Sequence, residues 1–257
     1  MALRFVKMHG AGNDFVLIDG RGGAFPADGR VVAAIAPRGT GIGCEGVIVV
    51  EDSDRADFRM RFFNPDGSEA DMCGNGARCV AAFARDIGAA SADKMRFETR
   101  AGDVEAEILA PEMVRISLPA PHDLADDFVN SGVPHAIVPV EDLSAADVAG
   151  EGRRIRFSAE YAPEGTNVDF VAYDPPGRLA IRTYERGVEA ETGACGTGSV
   201  AAALVGVAQH GMAFPVHVET ALGYELVVDG RWDGRAFSCV TLTGPVKRVF
   251  EGLIELP

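Results

Sequence analysis

Two short glycine-rich loops each carry a cysteine directly before a predicted helix. Their sequences are Met72-Cys-Gly-Asn-Gly76 and Ala194-Cys-Gly-Thr-Gly198. Glycine leaves backbone N–H groups uncovered, and a helix N-terminus attracts anions, so each loop could hold a carboxylate. The same partial positive charge favours a thiolate, and we therefore expect a lowered pKa for both cysteines. Each loop predicts a carboxylate site with a reactive thiol beside it.

The two loops belong to an internal duplication. Cys73-Gly-Asn-Gly-Ala77 recurs 122 residues later as Cys195-Gly-Thr-Gly-Ser199, and Glu98-Thr-Arg-Ala-Gly102 recurs 121 residues later as Glu219-Thr-Ala-Leu-Gly223. An Ala/Val-rich stretch follows each cysteine loop and predicts helices over 77–87 and 199–208. Because solenoid repeats are only about 20–50 residues long, this period indicates a duplicated domain.

Each half contains several predicted strands, then one helix that follows a glycine turn, then a hairpin. In the first half, hydrophobic alternation and apolar runs predict strands at 3–8, 14–18, 46–50 and 59–63. We therefore predict an α+β protein of two duplicated, pseudo-two-fold related domains, each a mixed or antiparallel sheet around a central helix. The predicted domains are 1–119, carrying Cys73, and 120–245, carrying Cys195. Strand 246–257 is a candidate for return to the first domain.

Composition excludes several function classes. The 257 residues include 38 acidic and 24 basic side chains, a net charge of −14, which argues against nucleic-acid binding. We expect no signal peptide and no membrane span, because no apolar run is long enough, and we expect a cytoplasmic protein. Five cysteines without a C-x-x-C pair predict neither a disulfide framework nor a metal site.

The scarcity of lysine bears on cofactor chemistry. A pyridoxal phosphate enzyme needs a lysine for its Schiff base, and this chain has only three, Lys7, Lys94 and Lys247, none beside a phosphate-binding loop. We therefore expect no cofactor. A pair of thiols supplies an alternative if the two halves face each other. One thiolate would remove an α-proton from one face of a carbon, and the other thiol would deliver a proton to the opposite face.

Three longer motifs resemble the diaminopimelate epimerase family, the two-cysteine epimerases that work without pyridoxal phosphate. They are Met8-His-Gly-Ala-Gly-Asn-Asp-Phe15, Asn64-Pro-Asp-Gly-Ser-Glu-Ala-Asp-Met-Cys-Gly-Asn-Gly-Ala-Arg-Cys79 and Tyr184-Glu-Arg-Gly-Val-Glu-Ala-Glu-Thr-Gly-Ala-Cys-Gly-Thr-Gly198. Pro134-His135 and Asn167 also match, so the resemblance covers essentially the whole chain. It implies conversion of L,L-diaminopimelate to the meso isomer, in lysine and peptidoglycan biosynthesis, by a homodimeric isomerase.

The resemblance also implies roles for individual residues. Cys195 would take the proton from the L,L isomer and Cys73 would give one, with His135 close to the reaction centre. Glu185 would hold the α-ammonium group of the amino-acid substrate. The residues that would supply N–H groups around the reacting carboxylate and amine are Gly74, Asn75, Gly196 and Thr197. Those that would bind the distal end of the substrate are Asn13, Asn64, Asn167 and Arg186.

Two positions depart from the family pattern, and other functions stay open. Val133 stands where relatives commonly have a substrate-contacting asparagine, and Gly46 stands where some have glutamine, so neither enters the site. The alternatives are another racemase of the same fold, such as a histidine racemase, and a thiol redox protein. Proline-type racemases usually have histidine at the position of Asn75, and phenazine-type relatives lack paired cysteines. We expect the three remaining cysteines to be buried and inert: Cys44, Cys79 and Cys239.

Overall fold

The computed structural model describes residues 2–25 and 28–255. It divides into two compact units, Met1–Ile116 with Gly244–Pro257, and Ser117–Thr243. Within the described ranges, no helix has the length and apolar character that crossing a membrane requires.

The first unit is a mixed sheet around a helix. Its strands are β1 (Ala2–Gly10), β2 (Asn13–Asp19), β3 (Gly46–Glu51), β4 (Phe58–Phe63), β5 (Glu69–Ala70), β6 (Lys94–Thr99), β7 (Gly102–Ala110) and β8 (Met113–Ser117), and its helices are α1 (Gly29–Ile35) and α2 (Gly74–Asp86). Strands β2 and β3 pair in parallel, as do β4 and β6, whereas β1–β2, β3–β4 and β6–β7 are antiparallel. A parallel pair needs a crossover connection, which α1 and α2 supply.

The second unit repeats this arrangement. Its strands are β9 (His122–Ala125), β10 (Phe128–Asn130), β11 (Pro134–Pro139), β12 (Asn167–Asp174), β13 (Arg178–Glu185), β14 (Ala190–Thr192), β15 (Val216–Glu219), β16 (Glu225–Trp232) and the first part of β17 (Phe237–Glu255), and its helices are α3 (Val148–Arg156) and α4 (Gly196–Gln209). The parallel pairs are β11–β12 across α3 and β13–β15 across α4, and β10–β11, β12–β13 and β15–β16 are antiparallel.

The central helices α2 and α4 are enclosed by their sheets. Helix α2 packs on β1, β2, β3, β4 and β7, and helix α4 packs on β10 to β13, β15 and β16. Their alanine- and glycine-rich sequences allow this close approach, and every residue from Gly74 to Ala84 is buried. The predicted α+β fold class is confirmed. Both helices begin three residues earlier than predicted, because the extended Cys73 and Cys195 are the residues that precede the first turn.

The strand registers place the two units in residue-by-residue correspondence. Phe15 on β2 pairs with Gly46 on β3, and His135 on β11 pairs with Asn167 on β12 in the same way. Two residues further along, Ile48 pairs with Phe62 in the first unit, and Asp169 pairs with Thr183 in the second. The duplicated backbones therefore carry apolar residues in one unit at positions that are polar in the other.

A buried ion pair ties β1 to β2 in the first unit. The ammonium of Lys7, whose side chain is 7% exposed, lies 2.5 Å from the carboxylate of Asp14 and also donates to the carbonyl of Gly43. Arg38 donates to the same carboxylate at 2.7 and 3.0 Å. Burial raises the pKa of Asp14, but the hydrogen bonds from Arg38 and Lys7 outweigh it, so the pKa lies below its ordinary value.

Replacing Lys7 with methionine is expected to lower the free energy of unfolding by about 1.5 to 3 kcal/mol, the range for hydrogen bonds to charged groups. Because the pKa of Asp14 is lower in the folded chain, its stabilising contribution is complete above about pH 4. It is lost as the pH falls through the folded pKa, so the difference between variant and parent should shrink in acid. Urea unfolding at pH 7 and pH 3 measures both effects.

The control is Lys94→Met, because Lys94 is 79% exposed and its pairing with Glu107 at 3.4 Å is solvated. That variant should change stability by no more than about 0.5 kcal/mol. Equal effects of the two substitutions would contradict a structural role for the Lys7 ion pair.

Candidate active site

Cys195 lies at the N-terminus of α4, surrounded by polar groups of its own unit. Its sulfur accepts a hydrogen bond from the backbone N–H of Gly198 at 3.4 Å and lies 3.5 Å from the hydroxyl of Thr197. Burial raises the pKa of Cys195 well above the ordinary value, and the negative charges of Glu185 and Asp169 act in the same direction. The predicted lowering of this pKa is wrong, because desolvation and two carboxylates outweigh the helix N-terminus.

Beneath this cysteine, three strands contribute a buried polar chain. His135 on β11 and Asp169 on β12 are both fully buried. The Nδ1 atom of His135 lies 2.6 Å from Oδ2 of Asp169, and the hydroxyl of Thr183 on β13 donates to Oδ1 of Asp169 at 2.6 Å. His135 then continues toward the cysteine, with Nε2 at 3.0 Å from the hydroxyl of Thr197. The structure therefore links His135 to Cys195 through one hydroxyl.

Glu185 ends strand β13 near the same thiol. Its carboxylate accepts a hydrogen bond from the hydroxyl of Thr192 at 2.8 Å. Burial raises the pKa of Glu185, and the charge of Asp169 adds to the effect, while Thr192 and His135 oppose it. A partly desolvated carboxylate in this place gains most from an incoming cation, because an ammonium group would replace its lost hydration.

Asn167 and Arg186 lie next to each other in space. The side-chain amide of Asn167 connects the backbone at Pro134 with the backbone at Arg186. Its Nδ2 donates to the carbonyl of Pro134 at 3.1 Å, and its Oδ1 accepts from the backbone N–H of Arg186 at 2.8 Å. The guanidinium of Arg186 reaches the carbonyls of Glu164 and Gly165 at 3.4 Å. Asn167 therefore fixes the loop that carries Arg186.

The first cysteine loop is held against the opening motif of the chain. Gly74 and Asn75 form the first turn of α2, and a Cβ on Gly10 would lie 2.8 Å from the carbonyl oxygen of Asn75. This close approach explains why the first glycine of the His-Gly-Ala-Gly sequence, Gly10, has no side chain. Cys73 is half-buried at the end of the loop. Gly74, Asn75 and Cys73 thus form one compact segment.

The two remaining asparagines of the first unit differ in their hydrogen bonding. Asn64 lies in the turn after β4, and its Nδ2 donates to the hydroxyl of Ser68 at 3.0 Å. Asn13 begins β2, and its Oδ1 is buried without a hydrogen-bond partner among the described residues. A buried acceptor without a donor is costly. Asn13 is therefore better placed than Asn64 to accept a hydrogen bond from a ligand.

Sequence reasoning missed Arg78, a fully buried arginine in the second turn of α2. Its guanidinium donates to Oδ1 of Asn75 at 2.8 Å, and its Nε has no partner among the described residues. Burial lowers its pKa to about 10, whereas the charges of Cys79 and Cys73 act to raise it. The signal was an arginine beside the alanine-rich middle of this helix. A cation in this position favours a Cys73 thiolate.

The Arg78→Met variant should therefore be alkylated at Cys73 by iodoacetamide about tenfold more slowly at pH 7, through the loss of this Coulomb attraction. Mass spectrometry of the Cys73 peptide gives the rate. Arg85→Met, at the exposed end of the same helix, is the matched control and should react like the parent. Equal alkylation rates in all three proteins would contradict an effect of Arg78 on the reactivity of Cys73.

The structure also shows the environments of Gly46 and of the three remaining cysteines. A Cβ on Gly46 would lie 2.4 Å from the ring of Phe62, so core packing requires glycine there. Cys44 and Cys79 are buried as predicted, but Cys239 is exposed, and the prediction for that cysteine is wrong. Within the described ranges, no group of three or more His, Cys, Asp or Glu side chains could hold a metal ion.

Comparison with known proteins identifies the family. The family model for diaminopimelate epimerase matches residues 5–117 and 128–249, one stretch in each half. The chain belongs to the diaminopimelate epimerase family. It is 43% identical to the diaminopimelate epimerase of Chlorobaculum tepidum over 97% of this chain and 100% of that protein. It is 40% identical to that of Aquifex aeolicus over 98% of both chains. The resemblance read from the motifs is confirmed.

Solved structures of lower identity share the fold of this family member. A phenazine biosynthesis protein of the PhzF family from Bacillus anthracis superimposes with a TM-score of 0.76 over 100% of both chains at 16% identity. A hydroxyproline epimerase from Agrobacterium vitis gives a TM-score of 0.70 over 98% of this chain and 92% of that chain at 18% identity. Both support the α+β architecture of the diaminopimelate epimerase family.

Proposed function

We propose that this protein converts L,L-diaminopimelate to meso-diaminopimelate without pyridoxal phosphate, using Cys73 and Cys195 as the two proton-transfer groups. The observation that carries the proposal is the pair of cysteine loops, each of which begins a buried helix in a family of diaminopimelate epimerases. Inversion at carbon needs a base on one face and an acid on the other, and each unit supplies one thiol.

In this mechanism Cys195 acts as a thiolate on the α-proton of the L,L isomer, and Cys73 returns a proton to the opposite face. Loss of the α-proton spreads negative charge onto the substrate carboxylate. The N–H groups at the starts of α2 and α4, from Gly74, Asn75, Gly196 and Thr197, stabilise that charge. Glu185 holds the α-ammonium group, and His135 supports Cys195 from within the second unit.

The distal amino-acid group of the substrate distinguishes diaminopimelate from smaller amino acids. Asn13, Asn64, Asn167 and Arg186 are the residues that we propose for its recognition. Arg186 offers a planar fork of donors that suits a carboxylate. The Oδ1 of Asn13, which has no hydrogen-bond partner among the described residues, can accept a hydrogen bond from an ammonium group.

The test is incubation of the purified protein with L,L-diaminopimelate, followed by chiral chromatography of the product. L-histidine in a parallel reaction tests the competing racemase. We expect meso-diaminopimelate from the first substrate and no D-histidine from the second. Formation of D-histidine alone would show that the substrate is histidine and would be consistent with the same two-thiol chemistry. Reversible formation of a disulfide, without either amino-acid product, would favour a redox function.

We also propose a homodimer in the cytoplasm. The end of β17 has an apolar exposed surface, with Val249, Phe250 and Leu253 exposed by 55%, 47% and 73%. A second copy of the chain is the occupant that would cover it. All five cysteines lie in the described part of the chain and none of them forms a disulfide, which fits a reducing compartment. Sedimentation of the parent and of Leu253→Glu tests the dimer.

A further inference from the structure

The environments of the two cysteines differ although their backbones are duplicates. By strand register, Phe15, Ile48 and Phe62 of the first unit occupy the places of His135, Asp169 and Thr183 in the second. The apolar set packs, with the rings of Phe15 and Phe62 edge to face at 6.1 Å. The polar set forms a hydrogen-bonded chain that ends at Cys195. Among the described residues, Cys195 therefore has such a polar chain beneath it, whereas the corresponding positions in the first unit are apolar.

The partners of the polar chain fix where its protons lie. An ionised carboxylate only accepts hydrogen bonds, so Oδ1 of Asp169 accepts from Thr183 and Oδ2 accepts from Nδ1–H of His135. A neutral imidazole with its proton on Nδ1 has an acceptor at Nε2. That atom lies 3.0 Å from the hydroxyl of Thr197, which can donate to it. Thr197 in turn lies 3.5 Å from Sγ of Cys195 and can accept from its thiol.

Several charged and titratable groups face Cys195. Asp169 from β12 and Glu185 from β13 bring negative charge, and α4 contributes the Thr197 hydroxyl and the Gly198 N–H. The imidazole of His135 from β11 lies on the far side of the Thr197 hydroxyl. Loss of the thiol proton to bulk water would leave three negative groups together in a desolvated place. Transfer of the proton to His135 keeps the net charge of the cluster unchanged, and places the imidazolium next to Asp169.

We propose that Thr197 and His135 form a proton relay for Cys195, and that Asp169 is the positioning residue that holds His135 in the accepting tautomer. This inference rests on the proposed function, in which Cys195 must become a thiolate. The S–H bond of Cys195 breaks as its proton moves to Oγ1 of Thr197. The hydroxyl proton of Thr197 moves to Nε2 of His135. One proton has then passed from sulfur to nitrogen, no electrons are exchanged, and reversal restores the thiol.

The relay is tested with Thr197→Val, which removes the hydroxyl while keeping the shape, and with Thr197→Ser, which restores it. The first measurement is alkylation of Cys195 by iodoacetamide against pH, without substrate, in a Cys73→Ala background. We expect Thr197→Val to move the alkylation profile to higher pH and Thr197→Ser to return it to the parent. Because no substrate is present, the result does not depend on whether diaminopimelate is the substrate.

The second measurement is turnover of L,L-diaminopimelate in chains that retain Cys73. Thr197→Val should lower kcat by about 10²-fold with KM little changed, since a proton transfer and not binding is impaired. Asp169→Asn should also lower kcat, because an amide Nδ2 next to His135 would favour the wrong tautomer. Thr220→Val, which removes another buried hydroxyl of the same unit, is the control and should behave as the parent.

Two results would overturn the relay. One is an alkylation profile of Thr197→Val identical to that of its background. The other is an equal loss in Thr197→Val and Thr197→Ser, which would assign the effect to packing of the side chain. A chain that makes no meso product at all, yet shows the shifted profile, would contradict the proposed substrate and leave the relay standing.

Discussion

Epimerisation is expected to fall by about 10²- to 10⁴-fold when either Cys73 or Cys195 is replaced by alanine, the range that positioned proton-transfer groups contribute. Each variant retains one thiol, so it can still act on one face of the substrate carbon but cannot complete the inversion. Measurement of meso product from L,L-diaminopimelate at saturating substrate gives kcat for each variant.

Cys239→Ala is the matched control for these two variants. Cys239 is exposed on β17, and it should be replaced without loss of turnover. A Cys73→Ala or Cys195→Ala chain with the turnover of the Cys239→Ala chain would contradict the two-thiol mechanism. Circular dichroism distinguishes the expected loss of turnover from unfolding.

Gly198→Ala is expected to damage the second cysteine site strongly. A Cβ at this position would lie 2.5 Å from Oδ1 of Asp169, which Thr183 and His135 hold on both oxygens. The carboxylate must shift and weaken these bonds, and overpacking of this kind typically costs about 1 to 3 kcal/mol. We expect a comparable loss of unfolding free energy and a kcat lower than that of the parent.

The duplicated fold offers an internal control for this substitution. Gly76 occupies the equivalent position on α2, where a Cβ would meet the terminal methyl of Ile48 at 2.9 Å. That methyl group is the far end of a flexible side chain and can move at small cost. Gly76→Ala should therefore lower stability less than Gly198→Ala. The reverse order, measured by thermal unfolding, would contradict the assigned environment of Asp169.

The sequence was sufficient for the fold class and for the two cysteine loops, because both repeat along the chain. Motif resemblance alone singled out His135, since a lone histidine in an apolar strand has no distinctive spacing. Asp169 was missed although a signal existed: it is a charged residue in the apolar run Asn167-Val-Asp-Phe-Val171. Arg78 within an alanine-rich helix was a similar signal. Both residues have meaning only when the fold shows what lies beside them.

The pKa of Cys195 could not be predicted from its loop. The helix N-terminus is local and visible in the sequence, but Asp169 and Glu185 reach the thiol from strands that lie 26 and 10 residues away along the chain. Desolvation depends on the whole sheet around α4. The helix starts were also displaced, because the glycines of the loops already have helical backbone. The local sequence pattern shows which reactive groups are present, and long-range contacts determine their pKa values.

Exchange of α-hydrogen in D₂O tests the two-thiol mechanism most directly. Mass spectrometry should show deuterium entering L,L- and meso-diaminopimelate with the parent protein. Cys73→Ala should exchange the L,L isomer without inverting it, through Cys195, and Cys195→Ala should exchange the D centre of the meso isomer through Cys73. The double variant should exchange neither. Deuterium uptake that persists in the double variant would contradict the mechanism. Uptake at both the L and the D centres in a single variant would contradict it as well.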